Sequence, residues 1–512
     1  MCVSGPDTYD SVVPTGAVSA AGGGARWERL TDTVERHALF VAALSVTWLV
    51  LLLKVPFRLN QDGYLGLVAG REVADHGIPQ HDRLAALTHG ARWIDQQWLS
   101  QLALYELERA GGLAAYCIVY VGLAVAALGM AILASRRLGA ADVHVLAVLI
   151  LPTIIFVGAS GEVRTQGFAY PLYVAVLWLL LAESRAPSRR GLWVFPLLVL
   201  WGNLHGSVTL GVGLSVLYGV SVLVPRRDGP GPAGPWPWRR ALLYIVGAPL
   251  CLLLTPYLLD GITYYRDTLG NGTFRSLISE WRPVTSIMIL AVPFFVVGFT
   301  ATWLLGRAGR RHDLFEHLVL YMTITAGITA VRNVTWLGLT AIVVLPGLVG
   351  TVWGRPPEQE RKRTVNLALA GGSLVLLVGT LVGVAAQPRS WFEQGYDRRA
   401  LGVIASRMQA EPSLKVHAGD RFTDWLLWNE PQLAGRVSYD SRLELLTTRQ
   451  LRDLSDYVSE KGGDAAKIVS GFGLLVLDPK GQKSFTKARL KDAGTRVIYR
   501  GHDVIVAERP AR

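Results

Sequence analysis

Long apolar runs separated by short polar segments occupy most of the chain between residues 39 and 386. Eleven runs approach the roughly 20 residues that a helix needs to cross a bilayer. They cover residues 39–55, 113–134, 143–157, 168–181, 193–201, 210–224, 241–254, 287–305, 318–331, 336–352 and 367–386. The pattern predicts a mainly α protein, a polytopic transmembrane bundle of about eleven helices.

The pattern changes after residue 386. Hydropathy falls, and short β-forming runs alternate with helical segments. The runs cover residues 415–418, 436–439, 473–477, 495–499 and 503–507. The last two flank Gly501-His502 and predict a hairpin. Residues 387–512 are therefore predicted to form a C-terminal α/β domain of about 120 residues, which is large enough to fold on its own.

Two further segments complete the predicted organisation. Residues 1–37 are rich in Gly, Ser, Ala and Thr without an apolar period, which predicts a flexible tail. No small-residue cleavage site follows the first apolar run, so we expect a retained helix rather than a signal peptide. Residues 38–386 then form the transmembrane domain. Its long first outer loop, residues 56–112, has helical apolar spacing at 94–109 and predicts one or two helices along the membrane surface.

The charge distribution predicts the topology. The chain is 51% hydrophobic and 18% charged, and its formal net charge is +12. Basic residues recur in every second loop, at 136–137, 185–190, 226–240, 307–311 and 355–363. Because basic loops face the cytoplasm, the N-terminus is expected inside and the C-terminal domain outside the plasma membrane. The same placement argues against nucleic acid as a partner. The expected partner of the basic loops is the lipid bilayer.

Several polar residues stand at the ends of apolar runs, where charge is costly and functional roles are frequent. The predicted topology places all of them at the outer level, where they form an array able to hold an anion beside a proton acceptor. They are Asp62, Arg164, His205, Glu280 with Trp281, and Arg332.

Each of these residues has a simpler interpretation. A lone carboxylate such as Asp62 is most often solvated surface, and Arg164 at a helix end can reach to lipid headgroups. His205 is compatible with a structural histidine between helices, Trp281 with an interfacial aromatic, and Glu280 with a partner of a nearby arginine. Their shared side favours function, since structural roles do not require it.

A series of short motifs resembles the GT-C superfamily of polytopic glycosyltransferases, which use polyprenyl-phosphate-linked sugars. The likeness is to bacterial members related to the mannosyltransferase and oligosaccharyltransferase branches, and it extends over nearly the whole chain after residue 38. The motifs are Asp62-Gly63-Tyr64, Gly90-Ala91-Arg92-Trp93, Trp98-Leu99-Ser100-Gln101, Arg164-Thr165-Gln166, Trp201-Gly202-Asn203-Leu204-His205-Gly206, Thr255-Pro256-Tyr257, Glu280-Trp281, Arg332-Asn333, Asp424-Trp425-Leu426-Leu427-Trp428 and Tyr439-Asp440-Ser441-Arg442.

The resemblance implies transfer of a sugar from a polyprenyl-phosphate donor to an extracytoplasmic glycan, lipid or protein acceptor, with inversion and with Asp62 as the base. Arg332 and Arg164 are then expected to hold the donor phosphate. The expected substrate contacts are His205, Glu280, Trp281, Asn203 and Asp95.

The chain departs from the family in two places. It has no Asp-x-Asp pair in the first outer loop and no Trp-Trp-Asp motif in its tail, so transfer to protein asparagine is not expected. No cofactor is assigned, and a divalent metal stays open.

Two other functions fit the same array. A transporter or flippase for a lipid-linked or anionic substrate also places charges on one face of a bundle. Against it, few charges lie at mid-membrane and no inverted repeat is evident. A non-catalytic scaffold with the same fold is the third hypothesis, because fold alone does not fix activity.

Overall fold

The computed structural model describes residues 21–224, 237–270, 279–309, 313–357, 362–459 and 467–510. Within them, each of the eleven apolar runs forms a helix, and two more helices lie between these runs. The helices of residues 21–385 are α1 (Ala21–Lys54), α2 (Gln61–His76), α3 (Trp98–Arg137), α4 (Asp142–Ala159), α5 (Ala169–Arg185), α6 (Val194–Leu204), α7 (Val208–Leu223), α8 (Pro237–Leu250), α9 (Asp260–Gly270), α10 (Met288–Ala308), α11 (Leu314–Thr329), α12 (Val334–Trp353) and α13 (Arg363–Ala385).

In the described part of the chain, 7 of these helices are long and apolar enough to cross a membrane, and α7 and α11 are shorter apolar helices. At 1.5 Å per residue, α6 and α8 are roughly 16 and 21 Å long, less than the ~30 Å of a hydrocarbon core. The protein is therefore a multi-pass membrane protein, and the predicted bundle is confirmed.

The first outer loop contains α2 and the beginning of α3. Helix α3 has 40 residues and is interrupted at Gly111 and Gly112, whose φ values are −149° and +66°. A positive φ suits glycine, so the chain changes direction here between two helical segments. The loop therefore contains helices, and their position along the membrane surface stays a prediction.

The N-terminal boundary differs from the prediction. Residues 1–20 of the predicted flexible tail lie outside the described residues, but α1 begins at Ala21, well ahead of residue 37. Local ion pairs accompany this extension. Arg36 pairs with Asp32 at 3.0 Å, and Glu35 pairs with Arg363 of α13 at 3.1 Å.

The C-terminal domain contains one mixed sheet with the strand order β1-β2-β4-β3. Strand β1 runs parallel to β2, whereas β4 is antiparallel to both β2 and β3. The elements are α14 (Arg389–Phe392), α15 (Arg398–Ala410), β1 (Val416–Ala418), α16 (Asp420–Asn429), α17 (Thr448–Ser459), β2 (Leu474–Leu477), α18 (Lys483–Arg489), β3 (Arg496–Arg500) and β4 (Ile505–Glu508). The antiparallel pair β3 and β4 confirms the predicted hairpin.

The predicted strand at 436–439 is wrong. Val437 forms isolated bridges to Val416 and to Ala85 instead of a ladder. Its carbonyl accepts the Ala86 N–H at 2.7 Å, and the Ser438 N–H bonds to the Val416 carbonyl at 3.0 Å. This segment therefore links the sheet to the first outer loop, and the pairing is too short for a strand.

The described residues of the basic loops share one end of the bundle, and the C-terminal domain covers the other. At the basic end, Arg185 pairs with Glu316 at 2.6 Å and Arg240 pairs with Glu183 at 2.7 Å. At the opposite end, Arg71 of α2 donates to the carbonyls of Leu427 and Trp428 in α16, at 2.6 and 3.0 Å.

Candidate active site

A cavity of about 540 Å³ lies between the C-terminal domain and the end of the bundle that this domain covers. Its lining includes residues 420 and 441–444 of the C-terminal domain. It also includes Asp62, Arg164, His205, Glu280, Trp281 and Arg332. The structure thus brings together six of the eight predicted site residues, which are distant in the sequence.

The first turn of α2 explains the Asp62-Gly63-Tyr64 motif. Asn60 is the N-cap in an extended conformation, so Asp62 lies at the positive end of the helix dipole. A Cβ atom on Gly63 would come within 2.7 Å of both the Leu59 side chain and the Val163 carbonyl, so glycine permits the close approach. Tyr64 is fully buried and packs edge-on against Tyr396 of the C-terminal domain at 5.3 Å.

Arg164 is the centre of an ion-pair cluster. Its Nη1 lies 2.7 Å from Glu280 Oε1, 3.4 Å from Asp62 Oδ2 and 3.7 Å from Glu162 Oε2. The arginine side chain is 9% exposed, whereas Asp62 keeps 38% because it faces the cavity. The negative charges of Glu280 and Asp62 outweigh the effect of burial and hold the pKa of Arg164 well above its usual value. Arg164 is therefore a permanent cation that fixes three carboxylates.

The carboxylates Asp62 and Glu280 differ in basicity. Burial raises the pKa of Asp62, and the nearby Arg164 offsets only part of the rise. Burial also acts on Glu280, but the charges of Arg164 and Arg332 outweigh it, so the pKa of Glu280 is lowered. Asp62 is thus the better proton acceptor of the two, and Glu280 stays an ionised partner of Arg164.

Arg332 is held differently from Arg164. Its guanidinium lies over the ring of Trp281, 4.8 Å from the centroid, and a backbone hydrogen bond of 2.9 Å from Val331 to Arg282 joins the two segments. Among the described residues, Arg332 makes no hydrogen bond to a carboxylate. Its donors are therefore free to meet an anion in the cavity.

His205 ends α6 in an extended conformation and faces the cavity as a neutral ring. Its Nδ1 accepts the backbone N–H of Ser207 at 3.0 Å, and a backbone N–H can only donate. The ring proton is therefore on Nε2. Burial and the charges of Arg332 and Arg164 lower the pKa of His205 to about 3. His205 is thus a hydrogen-bond donor at neutral pH, not an acid or a base.

Two predicted site residues do not line the cavity. The amide of Asn203 donates to the carbonyls of Val199 and Leu254 and accepts from Trp98 Nε1 at 3.0 Å. Asp95 is 2% exposed and accepts the Gln97 N–H, and burial raises its pKa to about 7. Both residues make hydrogen bonds within the protein near the cavity, and their contact with substrate stays a prediction.

Several cavity residues were not assigned as site residues from the sequence. Glu162 and Gln166 stand beside Arg164, and Gln97 accepts a hydrogen bond of 2.6 Å from Thr165. The C-terminal domain contributes Asp420, Ser441 and Glu444. The Tyr439-Asp440-Ser441-Arg442 motif was the sequence signal that could have predicted this contribution, but the motif alone did not indicate which surface it faces.

The carboxylates of the cluster surround Arg164. In the part of the chain that the structure describes, no three His, Cys, Asp or Glu side chains converge in a way that fits a metal ion.

Comparison with known proteins identifies the fold. No protein-family model and no curated protein sequence matches the chain. Two solved structures of the oligosaccharyltransferase AglB from Archaeoglobus fulgidus have the same fold, each with a TM-score of 0.51. The apo form is 12% identical, and the complex with an inhibitory peptide and a dolichol-phosphate is 11% identical. Both comparisons cover 88% of this chain and 69% of the archaeal one.

A weaker similarity extends over more of the chain. ArnT from Cupriavidus metallidurans bound to undecaprenyl phosphate is 15% identical, with a TM-score of 0.47, and the match covers 92% of this chain and 97% of that one. The AglB structures, whose TM-scores are above 0.5, show that this chain shares their fold, as the resemblance led us to expect.

Proposed function

We propose that the protein is a membrane glycosyltransferase that moves a sugar from a polyprenyl-phosphate-linked donor to an extracytoplasmic acceptor. The observation that carries the proposal is the presence of a basic carboxylate, Asp62, and of a guanidinium, Arg332, without a carboxylate partner among the described residues, in one cavity at the end of an apolar bundle. A lipid-linked sugar phosphate needs this combination, because its chain lies in lipid while its phosphate and sugar lie at headgroup level.

The orientation follows from the charges. The basic loops at the end opposite the cavity are expected to face the cytoplasm. The cavity and the domain formed by residues 387–512 then lie outside the plasma membrane. The archaeal structure with a dolichol-phosphate supports this kind of donor, since a protein of the same fold binds a polyprenyl-type phosphate.

The reaction is an inverting displacement at the anomeric carbon. Asp62 accepts the proton of the acceptor hydroxyl, and the acceptor oxygen forms a bond to the anomeric carbon. The bond from that carbon to the phosphate oxygen breaks, and the electron pair stays on the phosphate. Arg332 meets the resulting charge through charge-assisted hydrogen bonds. His205 contributes its Nε2–H to a sugar or phosphate oxygen.

Arg164 acts mainly through its neighbours in this proposal. Because its Nη1 is shared by three carboxylates, it orients Asp62 and keeps Glu280 ionised. The phosphate contact predicted for Arg164 from the sequence stays a prediction, and it requires a change in the cluster. The Trp281 ring then positions the Arg332 guanidinium, and Glu280 and Trp281 border the sugar.

The test is transfer of radiolabelled sugar from polyprenyl-phosphate donors to extractable membrane acceptors. Membranes carrying the wild-type chain are compared with membranes carrying Arg332→Gln or Asp62→Asn at equal protein level. Labelled product from the wild type and its loss in both variants supports the proposal. Labelled donor that crosses the membrane without forming product contradicts it and favours the flippase hypothesis.

A further inference from the structure

The exposed apolar side of α8 continues beyond the end of this helix, through residues 251–259 and into the first turn of α9. Every fourth residue from 242 to 262 is a large apolar side chain that is 45–61% exposed, namely Leu242, Val246, Leu250, Leu254, Leu258 and Ile262. Leu259 is 68% exposed. We call Leu254, Leu258, Leu259 and Ile262 the apolar rim. A contiguous exposed apolar surface of this kind marks a contact with lipid or with another protein.

Helix α8 is too short to cross the hydrocarbon core by itself. Its 14 residues extend over roughly 21 Å, whereas the core is ~30 Å thick. Arg239 and Arg240 mark its basic end, so the missing length lies at the end that leads to α9. One side of α8 packs on α7, and its exposed side therefore belongs to the surface that the bundle presents to lipid. On that side, the apolar residues that meet the remaining lipid are those of the apolar rim.

The opposite face of α9 belongs to the cavity. Gly261 is buried, and Tyr264 and Tyr265 line the cavity. In a helix, residues 258, 259 and 262 share one face, and residues 261, 264 and 265 share the other. Helix α9 therefore separates the cavity from the surface that carries the apolar rim.

The same segment is tied to the first outer loop on its protein side. Asp260 forms an ion pair with Arg92, and Gln96 Nε2 donates to the Tyr264 hydroxyl. Tyr257 is 6% exposed and donates its hydroxyl to a backbone carbonyl of this loop at 2.7 Å. Because Asp260 is paired with a cation, its charge costs less beside an apolar environment. These contacts hold the polar groups of the segment and leave the apolar rim facing outward.

We propose that α9 is an interfacial helix whose apolar rim is inserted into the leaflet on the cavity side of the membrane, so that lipid holds one wall of the cavity in place. The partner is the boundary between headgroups and acyl chains, where amphipathic helices bury their apolar face. Continuity with the lipid-facing side of α8 favours lipid over a second protein. The proposal concerns the placement of α9 and does not depend on the reaction.

The test measures the depth of a labelled cysteine in the full chain, reconstituted in nanodiscs. Cys117 and Cys251 are buried, and Cys2 is replaced by serine. Leu259→Cys carries a nitrobenzoxadiazole fluorophore, and its quenching by nitroxide-bearing lipids is compared with its quenching by aqueous iodide. We expect quenching by nitroxides near the headgroup end of the acyl chain, at a depth of about 5–10 Å.

Two further labelled positions serve as controls. Val246→Cys, on the exposed side of α8, is expected to be quenched by nitroxides deeper in the membrane. Val458→Cys, at a 44% exposed position of α17 in the C-terminal domain, is expected to respond to iodide and not to lipid. Iodide quenching at residue 259 equal to that at residue 458, without lipid quenching, overturns the proposal. Protection from both quenchers also overturns it, because the apolar rim is then covered by protein.

A variant of the apolar rim tests whether lipid holds α9. Leu258→Asn with Leu259→Asn removes two apolar side chains, and asparagine accepts the φ of 47° at residue 258. Hydrogen exchange of the α9 amides in nanodiscs is expected to accelerate in this variant. Val458→Asn, the matched control, is expected to leave it unchanged. Exchange at the wild-type rate in the rim variant overturns the claim that lipid holds this wall.

Discussion

Replacing Arg442 by leucine removes the centre of the contact between the first outer loop and the C-terminal domain. In the wild type, the side chains of Arg442 and Asp82 are 3% and 0% exposed, and that of Asp440 is 2% exposed. Leucine leaves the two carboxylates buried without their cation. We expect the C-terminal domain to separate from the first outer loop more often.

The magnitude follows from the burial of these groups. Removing one partner of a buried ion pair costs about 3–5 kcal/mol, because the remaining charge is uncompensated. At 1.4 kcal/mol per tenfold, the open population increases by roughly 10² to 4 × 10³. Asp82 retains the Leu84 N–H at 2.9 Å and the Thr88 hydroxyl at 2.6 Å, which favours the lower part of this range.

Hydrogen exchange measured by mass spectrometry reports this opening directly. The amides of Ala86 and Leu87 donate across the contact to the carbonyls of Val437 and Ser438, at 2.7 and 3.0 Å. Their exchange is expected to accelerate in Arg442→Leu, while exchange in the membrane helices stays constant.

The control is Arg452→Leu, an exposed arginine of α17 without an ion pair in the described part of the chain. Unchanged exchange at residues 84–88 in Arg442→Leu would refute the assignment of Arg442 as the residue that joins loop and tail. Equal acceleration in Arg452→Leu would show that the effect is not specific to this contact.

Three further predictions concern the cavity. Arg332→Gln is expected to lower kcat/KM for the donor by about 10²–10³, with partial recovery in Arg332→Lys, because a single charge-stabilising donor is lost; equal kcat/KM in steady-state transfer assays would contradict this. Activity is expected to fall as pH decreases through the raised pKa of Asp62, since a protonated carboxyl accepts no proton. The pH–rate profile of His205→Gln is expected to show the same decrease at low pH, because His205 stays neutral. Gly63→Ala forces a Cβ atom to 2.7 Å from Leu59 and from the Val163 carbonyl and is expected to destabilise the protein by about 1–3 kcal/mol, whereas Gly306→Ala, with nothing within 4 Å, should melt like the wild type.

The sequence predicted the bundle well because apolar runs of membrane length leave few alternatives. It also grouped the cavity residues correctly by side, since Asp62, Arg164 and Arg332 follow or precede apolar runs at the same level. A shared side does not give the distances between the side chains, however. Arg164 Nη1 lies near Asp62, Glu162 and Glu280, and its contacts with Asp62 and Glu280 depend on packing between segments more than one hundred residues apart.

The contribution of the tail was harder to predict. Asp82 and Arg442 are 360 residues apart, and nothing in either local pattern indicates that they meet. The strand predicted at 436–439 failed for the same reason, because its β-forming residues serve a contact with the outer loop. Asn203 was grouped with its motif, although its amide completes hydrogen bonds to neighbouring backbone.

In the proposed reaction, Asp62 is the base for sugar transfer. The most direct measurement compares single-turnover transfer of labelled sugar by Asp62→Asn with that by Asp75→Asn. Asp75 is an exposed carboxylate on the same helix, outside the cavity lining. We expect the rate to fall by about 10²–10⁴ for Asp62→Asn, the typical contribution of a general base, and to stay at the wild-type value for Asp75→Asn. A folded, membrane-inserted Asp62→Asn that transfers sugar at the wild-type rate would contradict it.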